Sequence, residues 1–300
     1  LKKLRLELQL RKNLSSELEK QKEIALEANQ IATNKTKELD KLLKKQKLEA
    51  QLRKNLANEM ERQKEIAIQA QELALEKKNE IEAISNQLSK YLAPQIYHSI
   101  FSGEQEVNVI SRRKKLTVFF SDIVGFTDIS DKLEAEEISS MLNYYLTEMS
   151  QIALAHGGTI DKYIGDAILI FFGDPETEGV KVDAIKCVNM ALAMQLRMRD
   201  LENEWSGKFG LREPLKIRCG IATGYCTVGN FGSDDRLDYT VIGSQVNLAA
   251  RLEALSKPGS ILISFDTHSQ VSNEIKCTEL GKVSVKGIRE EVRTFEVELE

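Results

Sequence analysis

Two aspartates stand where they could hold a metal ion. Asp122 follows the apolar, β-rich run of residues 116–120, and Asp166 follows Gly165 between two further apolar runs. A carboxylate at the end of a buried strand costs free energy unless it is paired or binds a metal. If the two strands are neighbours, both carboxylates face each other and, with a carbonyl, offer the oxygen ligands that Mg²⁺ or Mn²⁺ takes on a nucleotide. Either aspartate alone is more consistent with a turn residue beside glycine, so the prediction depends on the pair.

The segment after Asp122 is suited to binding phosphate. Gly125 relaxes the turn, so the successive backbone N–H groups of Gly125, Phe126 and Thr127 can point into one concavity. These three residues are therefore candidate substrate-binding residues.

The elements that must position these residues are predicted to be alternating strands and helices. We predict helices at 135–156, 182–201 and 245–254. We predict strands at 116–120, 159–163, 167–172, 217–223, from 228, at 239–243, 260–264, 276–279 and 293–298, of which the second and third form a hairpin. This alternation predicts an α+β sandwich with helices on one face of the sheet.

The sequence pattern of residues 1–90 predicts a helical rod. The motif Leu-Arg-Lys-Asn-Leu at residues 10–14 recurs at 52–56, an offset of 42 residues or six heptads, and no Pro or Gly occurs before Pro94. A whole number of heptads keeps one stripe facing a partner, as a left-handed supercoil requires. We therefore predict a parallel, dimeric coiled coil. A single solvated helix that acts as a spacer is the alternative, and a signalling role for the coil is a hypothesis.

The seam of this coil is weak. One register places Leu56, Gln63, Ala70 and Lys77 at the a positions and Leu52, Glu59, Ile66 and Leu73 at the d positions. Half of these side chains are polar, which indicates a marginal coil. Residues 91–112 then predict a connector, with a short helix at 95–101 and a loop at 104–111, and residues 113–300 form the globular domain.

Composition excludes some partners. The net charge is −4 without a long block of one sign, so nucleic acid is not an expected partner. The four widely spaced cysteines indicate reduced thiols and a cytoplasmic location, and no apolar run approaches the roughly 20 residues that cross a bilayer. Because Leu1 begins inside a helical pattern, we expect an upstream sensor region outside this sequence, which could attach the full protein to a membrane.

Three motifs carry a family resemblance. They are Phe-Ser-Asp-Ile-Val-Gly-Phe-Thr at 120–127, Asp-Lys-Tyr-Ile-Gly-Asp at 161–166, and Val-Ile-Gly-Ser-Gln-Val-Asn-Leu-Ala-Ala-Arg-Leu-Glu at 241–253. Together they resemble the class III nucleotidyl cyclase domain over about residues 113–298. The resemblance implies a ferredoxin-like α+β core that pairs head to tail, with each active site at the interface of a homodimer.

The resemblance also implies site roles. Asp122 and Asp166, with the carbonyl of Ile123, are similar to the residues that bind two Mg²⁺ or Mn²⁺ ions. Lys162 and Thr240 resemble the pair that recognises the base. The metal ligands would come from one chain. The base-recognition pair, together with Asn247, Arg251 and Lys286, would come from the other.

Three more residues complete the implied site. Asn247 resembles the asparagine that positions the ribose, Arg251 the arginine that stabilises the transition state, and Lys286 the lysine that binds the terminal phosphate. Asn247 and Arg251 are four residues apart on a predicted helix, so they share one face. A surface salt bridge of Arg251 with Glu253 is the alternative.

Base chemistry favours ATP over GTP. Lysine donates to adenine N1, and a threonine hydroxyl accepts from the 6-amino group, whereas guanine presents the opposite pattern. The implied activity is adenylate cyclase, in which the ribose 3′-hydroxyl attacks the α-phosphate of ATP. Threonine at position 240 resembles the subgroup of soluble and cyanobacterial cyclases, so bicarbonate is a candidate activator.

Three alternatives stay open. A non-catalytic member of the same fold would lack some of the named side chains. A diguanylate cyclase would carry a Gly-Gly-Asp/Glu-Glu-Phe hairpin, whereas residues 163–167 are Tyr-Ile-Gly-Asp-Ala. A coiled-coil scaffold would turn over no nucleotide.

Overall fold

The structure is a computed structural model that describes residues 2–89, 97, 111–233, 235–284 and 291–299. The chain divides into two units, Leu1–Ile84 and Ser85–Glu300. The predicted short helix at 95–101 lies outside the described residues except for Tyr97. Lys286 lies outside them as well.

The predicted N-terminal helix is present as α1 (Lys2–Leu88), which runs without interruption. None of its residues is buried, and the seam residues Leu52, Ile66 and Leu73 are all more than half exposed. No helix in the described residues combines the length and the apolarity that a membrane span requires. The dimeric coil stays a prediction, since the structure contains one chain.

The second unit alternates strands and helices. Its elements are β1 (Ser111–Ile123), α2 (Phe126–Ser130), α3 (Ala135–Ala155), β2 (Thr159–Ile164), β3 (Ala167–Phe172), α4 (Val180–Asp200), α5 (Glu202–Phe209), β4 (Ile217–Ser233), β5 (Arg236–Ile242), α6 (Ser244–Leu255), β6 (Ile261–Ser264), α7 (Phe265–Val271), β7 (Cys277–Val283) and β8 (Val292–Val297).

The strands of the described residues form one mixed sheet. Its order is β2-β3-β1-β4-β6-β8-β7, and β5 pairs with β4 outside this path. β1 lies between β3 and β4 and is antiparallel to both. The strand that ends near Asp122 is therefore a direct neighbour of the hairpin that carries Asp166, as the site prediction required.

Helices cover both faces of the sheet. Successive strand residues point to opposite faces, so Phe119 shares a core with Tyr145 of α3 and Cys187 of α4, whereas Val118 shares another with Leu252 of α6. The expectation of helices on one face was wrong, because the apolar stripe of α6 packs on the face opposite α3 and α4.

Several strand boundaries differ from the prediction. β1 begins at Ser111 and not near residue 116, because its polar first half pairs with β4 from Ser111↔Gly229 onwards. The two strands predicted at 217–223 and from 228 are one continuous strand, β4. The short helices α2, α5 and α7 were not predicted. The hairpin and the helices α3 and α4 were predicted to within about two residues at each end.

Candidate active site

The structure brings Asp122 and Asp166 together. Asp122 is the penultimate residue of β1. Asp166 lies at the tip of the β2–β3 hairpin, after Gly165, whose φ of 65° is in the left-handed region that favours glycine. The backbone N–H of Ile123 donates a hydrogen bond to Asp166 Oδ2 at 3.1 Å. This bond fixes the hairpin tip against the end of β1.

The closeness of Asp122 and Asp166 makes it unfavourable for both carboxylates to be ionised. Burial, a hydrogen bond with Asp122 and the negative charge of Asp122 raise the pKa of Asp166 to about 7. A divalent cation would favour both ionised forms, so the pair fits a metal that takes oxygen ligands. Among the described residues, no group of three or more His, Cys, Asp or Glu side chains could hold a metal. Mg²⁺ is commonly bound by one or two carboxylates plus substrate phosphates, so two carboxylates suffice for the predicted site.

Arg218 and Glu253 extend the charged cluster and were not predicted as site residues. Arg218 is opposite Asp122 in the β1–β4 register, and its Nη2 donates to Asp122 Oδ2 at 3.1 Å. Its Nε lies 3.1 Å from Glu253 Oε1 as an ion pair without hydrogen-bond alignment. Burial is the main cause that raises the pKa of Glu253 to about 7; Arg218 lowers that pKa, and Asp122 and Asp166 raise it. Arg218 and Asp122 are 96 residues apart in the sequence, so nothing indicates that they pair until the strand register is known.

The predicted phosphate-binding segment follows β1 directly. Gly125 has φ 71° and ψ 25°, and α2 begins at the next residue. The first N–H groups of a helix have no intrahelical acceptor, so Phe126 and Thr127 offer donors at the start of α2. α2 has only five residues, and the phosphate role of this segment stays a prediction.

The predicted base-recognition pair is joined by a residue that the sequence analysis did not assign. The hydroxyl of Thr240 donates to Asp161 Oδ2 at 2.6 Å, and the N–H of Val241 donates to the same oxygen at 3.3 Å. Lys162 Nζ lies 3.4 Å from Asp161 Oδ1. Asp161 therefore places Lys162 and Thr240 on either side of one buried carboxylate.

Asn247 and Arg251 lie on α6, where the predicted spacing places them on one face. Asn247 is exposed and Arg251 is half-buried. Within the described part of the chain, neither side chain has a hydrogen bond or an ion pair. The predicted alternative for Arg251, a salt bridge with Glu253, is not formed, because Glu253 faces Arg218.

A glycine sets the position of α6 against the sheet. A Cβ atom at Gly220 of β4 would lie 2.1 Å from the backbone nitrogen of Glu253 and 2.2 Å from the carbonyl oxygen of Ala249. Only glycine allows the helix backbone to approach the strand this closely. The close approach determines where Asn247 and Arg251 emerge from the domain.

Residues 109–298 match the family described as adenylate and guanylate cyclase catalytic domain. The match covers more than half of the chain, and the chain belongs to this family. A curated relative, an adenylate cyclase from Anabaena cylindrica, is 36% identical over 226 residues, which cover 71% of this chain and 41% of that protein. An adenylate cyclase 1 from Rhizobium meliloti is 34% identical over 188 residues, 62% of this chain and 28% of that protein. The chain thus spans less than half the length of these relatives.

A solved structure of similar fold is the adenylyl cyclase CyaB from P. aeruginosa. It is 53% identical with a TM-score of 0.62, and the match covers 63% of this chain and 96% of that one. The predicted nucleotidyl cyclase fold is confirmed by the family match and by this structure.

Proposed function

We propose that this chain converts ATP to 3′,5′-cyclic AMP and pyrophosphate. The proposal rests above all on the contact between Ile123 and Asp166, which holds two carboxylates at one sheet edge beside the phosphate-binding segment. Adenylate cyclases among the similar proteins support the same assignment.

The residues of the chain have separate tasks in the proposed reaction. Asp122, Asp166 and the Ile123 carbonyl would hold two divalent cations, and bound cations of this kind would supply activation of the ribose 3′-hydroxyl and charge neutralisation of the pyrophosphate. Asn247 would orient the ribose. Arg251 would hold the negative charge that develops at the α-phosphate, a task for which a guanidinium is well suited.

Other donors would bind the remaining phosphates. The N–H groups of Gly125, Phe126 and Thr127 are candidates for this role, and Lys286 is the candidate for the terminal phosphate. Lys162 and Thr240 would recognise adenine through N1 and the 6-amino group. ATP is favoured over GTP because lysine would oppose the N1–H donor of guanine.

We propose that a homodimer completes the active site. Within the described residues, the side chains of Asn247 and Arg251 make no hydrogen bond or ion pair, and their free donors are consistent with a substrate bound partly by a second copy. α1 would assist assembly as a parallel coiled coil, because its exposed Leu and Ile side chains recur at heptad spacing. A coil that transmits an upstream signal is part of this proposal.

Two further parts of the proposal depend on other features. Bicarbonate is a candidate activator because position 240 is threonine; a flat response of the active dimer to bicarbonate at fixed pH would exclude it. A cytoplasmic location is supported by the four free cysteines, three of which are buried.

The decisive experiment measures cyclic AMP and cyclic GMP formed from ATP and GTP, with Mg²⁺ and then Mn²⁺. We expect cyclic AMP from the wild type and a loss of at least about 100-fold in Asp122→Asn, which keeps the side-chain shape. Asp200→Asn, an exposed acid at the end of α4, is the matched control and should retain full activity. Cyclic GMP as the main product, or no product with either metal, would contradict the proposal.

A further inference from the structure

Asp161 is a buried carboxylate that the proposed reaction does not use directly. Its side chain is 1% exposed. It lies on β2, yet its partners Thr240 and Val241 lie on β5, a strand that is not adjacent to β2 in the sheet. Burying a carboxylate is costly unless it is hydrogen-bonded. The contacts with β5 offset this cost at Oδ2, and they connect Asp161 to a base-recognition residue.

A β-bulge aims Asp161 at β5. Ile160 pairs with Ile170 and Lys162 pairs with Leu169, so Asp161 is the extra residue of the hairpin and has no partner on β3. A bulge interrupts the regular alternation of side chains and can redirect one of them. The backbone of β2 thus departs from regular pairing at the residue that contacts Thr240.

The hydrogen bond to Asp161 determines whether the Thr240 hydroxyl can donate to a ligand or only accept from it. A threonine hydroxyl carries one proton and can either donate to a ligand or accept from it. An ionised carboxylate can only accept. Because Thr240 donates its proton to Asp161 Oδ2 at 2.6 Å, only the lone pairs of its oxygen remain for a ligand.

The other carboxylate oxygen faces the second base-recognition residue. Within the described residues Oδ1 of Asp161 has no hydrogen-bond partner, and its nearest cation is Lys162 Nζ at 3.4 Å. Burial raises the pKa of Asp161, and the hydrogen bond from Thr240 and the charge of Lys162 oppose this rise. The ammonium group therefore favours the ionised form that accepts the Thr240 proton.

We infer that Asp161 is a positioning residue that determines base specificity by fixing Thr240 as a hydrogen-bond acceptor next to the donor Lys162. A pocket with one acceptor and one donor in this order matches the 6-amino group and N1 of adenine. It opposes O6 and N1–H of guanine. The inference rests on the proposed function and adds a third residue to the recognition of ATP.

Asp161→Ala tests the inference through the ratio of kcat/KM for ATP to kcat/KM for GTP. Once its proton is free, Thr240 can donate to O6, so we expect this ratio to fall by roughly tenfold. Asp161→Asn is the matched control. The N–H of Val241 selects the amide oxygen for the Oδ2 position, so Thr240 stays an acceptor. The ratio should therefore fall less than in Asp161→Ala, even though the amide NH₂ replaces the oxygen that faces Lys162.

A double-mutant cycle separates this role from general structural support. In a Thr240→Val background, Asp161→Ala should leave the ratio unchanged, because the hydroxyl on which Asp161 acts is gone. Equal losses for ATP and GTP in Asp161→Ala would overturn the inference, since they indicate structural damage alone. If the alanine variant does not fold, Asp161→Ser takes its place with the same expectation.

Binding measurements keep the inference distinct from the proposed reaction. The 3′-deoxy forms of ATP and GTP cannot cyclise, so competition between them reports base preference without turnover. A wild type that prefers 3′-deoxy-ATP but forms no cyclic AMP would contradict the proposed function and leave the Asp161 comparison intact. Equal binding of both analogues to the wild type would overturn the inference.

Discussion

Arg218 stands directly opposite Asp122 in the β1–β4 register, and its guanidinium lies between the carboxylates of Asp122 and Glu253 at 3.1 Å from each. The Arg218 guanidinium is therefore the counter-charge of both Asp122, at the end of β1, and the largely buried Glu253 on α6. The arrangement couples the end of β1 to the helix that carries Asn247 and Arg251.

Removing this cation should destabilise the domain in a pH-dependent way. We expect Arg218→Met to lower the free energy of unfolding by about 1–3 kcal/mol at pH 7.5, because Glu253 loses its counter-charge. The pKa of Glu253 is about 7 even beside Arg218, so at pH 5 the carboxyl is neutral and the loss should shrink. Urea unfolding at both pH values measures the effect. Arg212→Met, at an exposed arginine, is the control, and an equal loss at pH 5 would refute the explanation.

The paired acids of the site should make the metal-free protein less stable as pH rises. The pKa of Asp166 is raised from 3.8 to about 7 in the folded chain. The folded state then binds more protons than the unfolded state, so this stability is present below about pH 4 and is lost as pH rises to about 7. In chelator, the fall in Tm between pH 5 and pH 7.5 should be smaller in Asp166→Asn than in the wild type. The same fall in both proteins would contradict the prediction.

Mixing two inactive variants should restore activity if the active site is shared between chains. Asp122→Asn and Arg251→Met should each lose at least about 100-fold in activity. Half of the dimers in an equal mixture carry both variants, and each of these has one intact site of two, so activity should recover to about one quarter of the wild type.

The control for this mixture uses two defects on the same side of the site. Asp122→Asn mixed with Asp166→Asn leaves no intact site in any dimer, so activity should not recover. Recovery in this control would show that Asp122 and Asp166 of one site come from different chains. No recovery in the first mixture would show that the metal ligands and Arg251 come from the same chain.

Gly220 should be intolerant of even one added carbon. Gly220→Ala would place its Cβ 2.1 Å from the α6 backbone, so the helix must move; we expect a loss of about 1–3 kcal/mol in stability and a fall in kcat. Gly207→Ala on α5 is the matched control, because its Cβ meets nothing within 4 Å and a helical glycine gains about 0.5–1 kcal/mol on this change. Denaturant unfolding and cyclase assays of both variants check this, and a neutral Gly220→Ala would exclude the packing argument.

The coiled-coil prediction can be tested with two neighbouring leucines of similar exposure. Leu73 is 57% exposed at a predicted d position, and Leu75 is 60% exposed on the opposite side of α1. We expect Leu73→Glu to weaken dimerisation at least about tenfold, since a charge replaces an apolar contact in each chain. Leu75→Glu should leave it unchanged. Sedimentation equilibrium measures the dimer dissociation constant of both variants. The same dissociation constant for Leu73→Glu and Leu75→Glu would favour a solvated single helix.

The sequence was most informative where the pattern of short segments sufficed. Asp122 and Asp166 were predicted because acids at the ends of apolar strands are costly without a ligand or partner, and the helix at α1 was predicted because no Pro or Gly interrupts it. The roles assigned to these site residues stay predictions until they are tested.

The residues that were missed depend on contacts between distant segments. Arg218 gains its partner Asp122 through the register of β1 and β4. Asp161 gains its partners from β5, a strand that does not pair with β2. β4 was divided in two because its glycines, Gly224 among them, resemble breaks in a strand. Gly224 instead makes room for α6, because a Cβ at this position would lie 2.7 Å from the Gln245 side chain.

The buried carboxylate at the β2 bulge also constrains how this pocket could be redesigned for guanine. Exchanging Lys162 for an acid would place two carboxylates side by side and remove the cation that now lies 3.4 Å from Asp161. A change at position 240 alone would leave the Asp161 carboxylate without the hydroxyl that donates to it. In the proposed base-recognition site, selectivity for guanine would therefore need a coordinated change at three positions, with Asp161 neutralised in the same step as the other two.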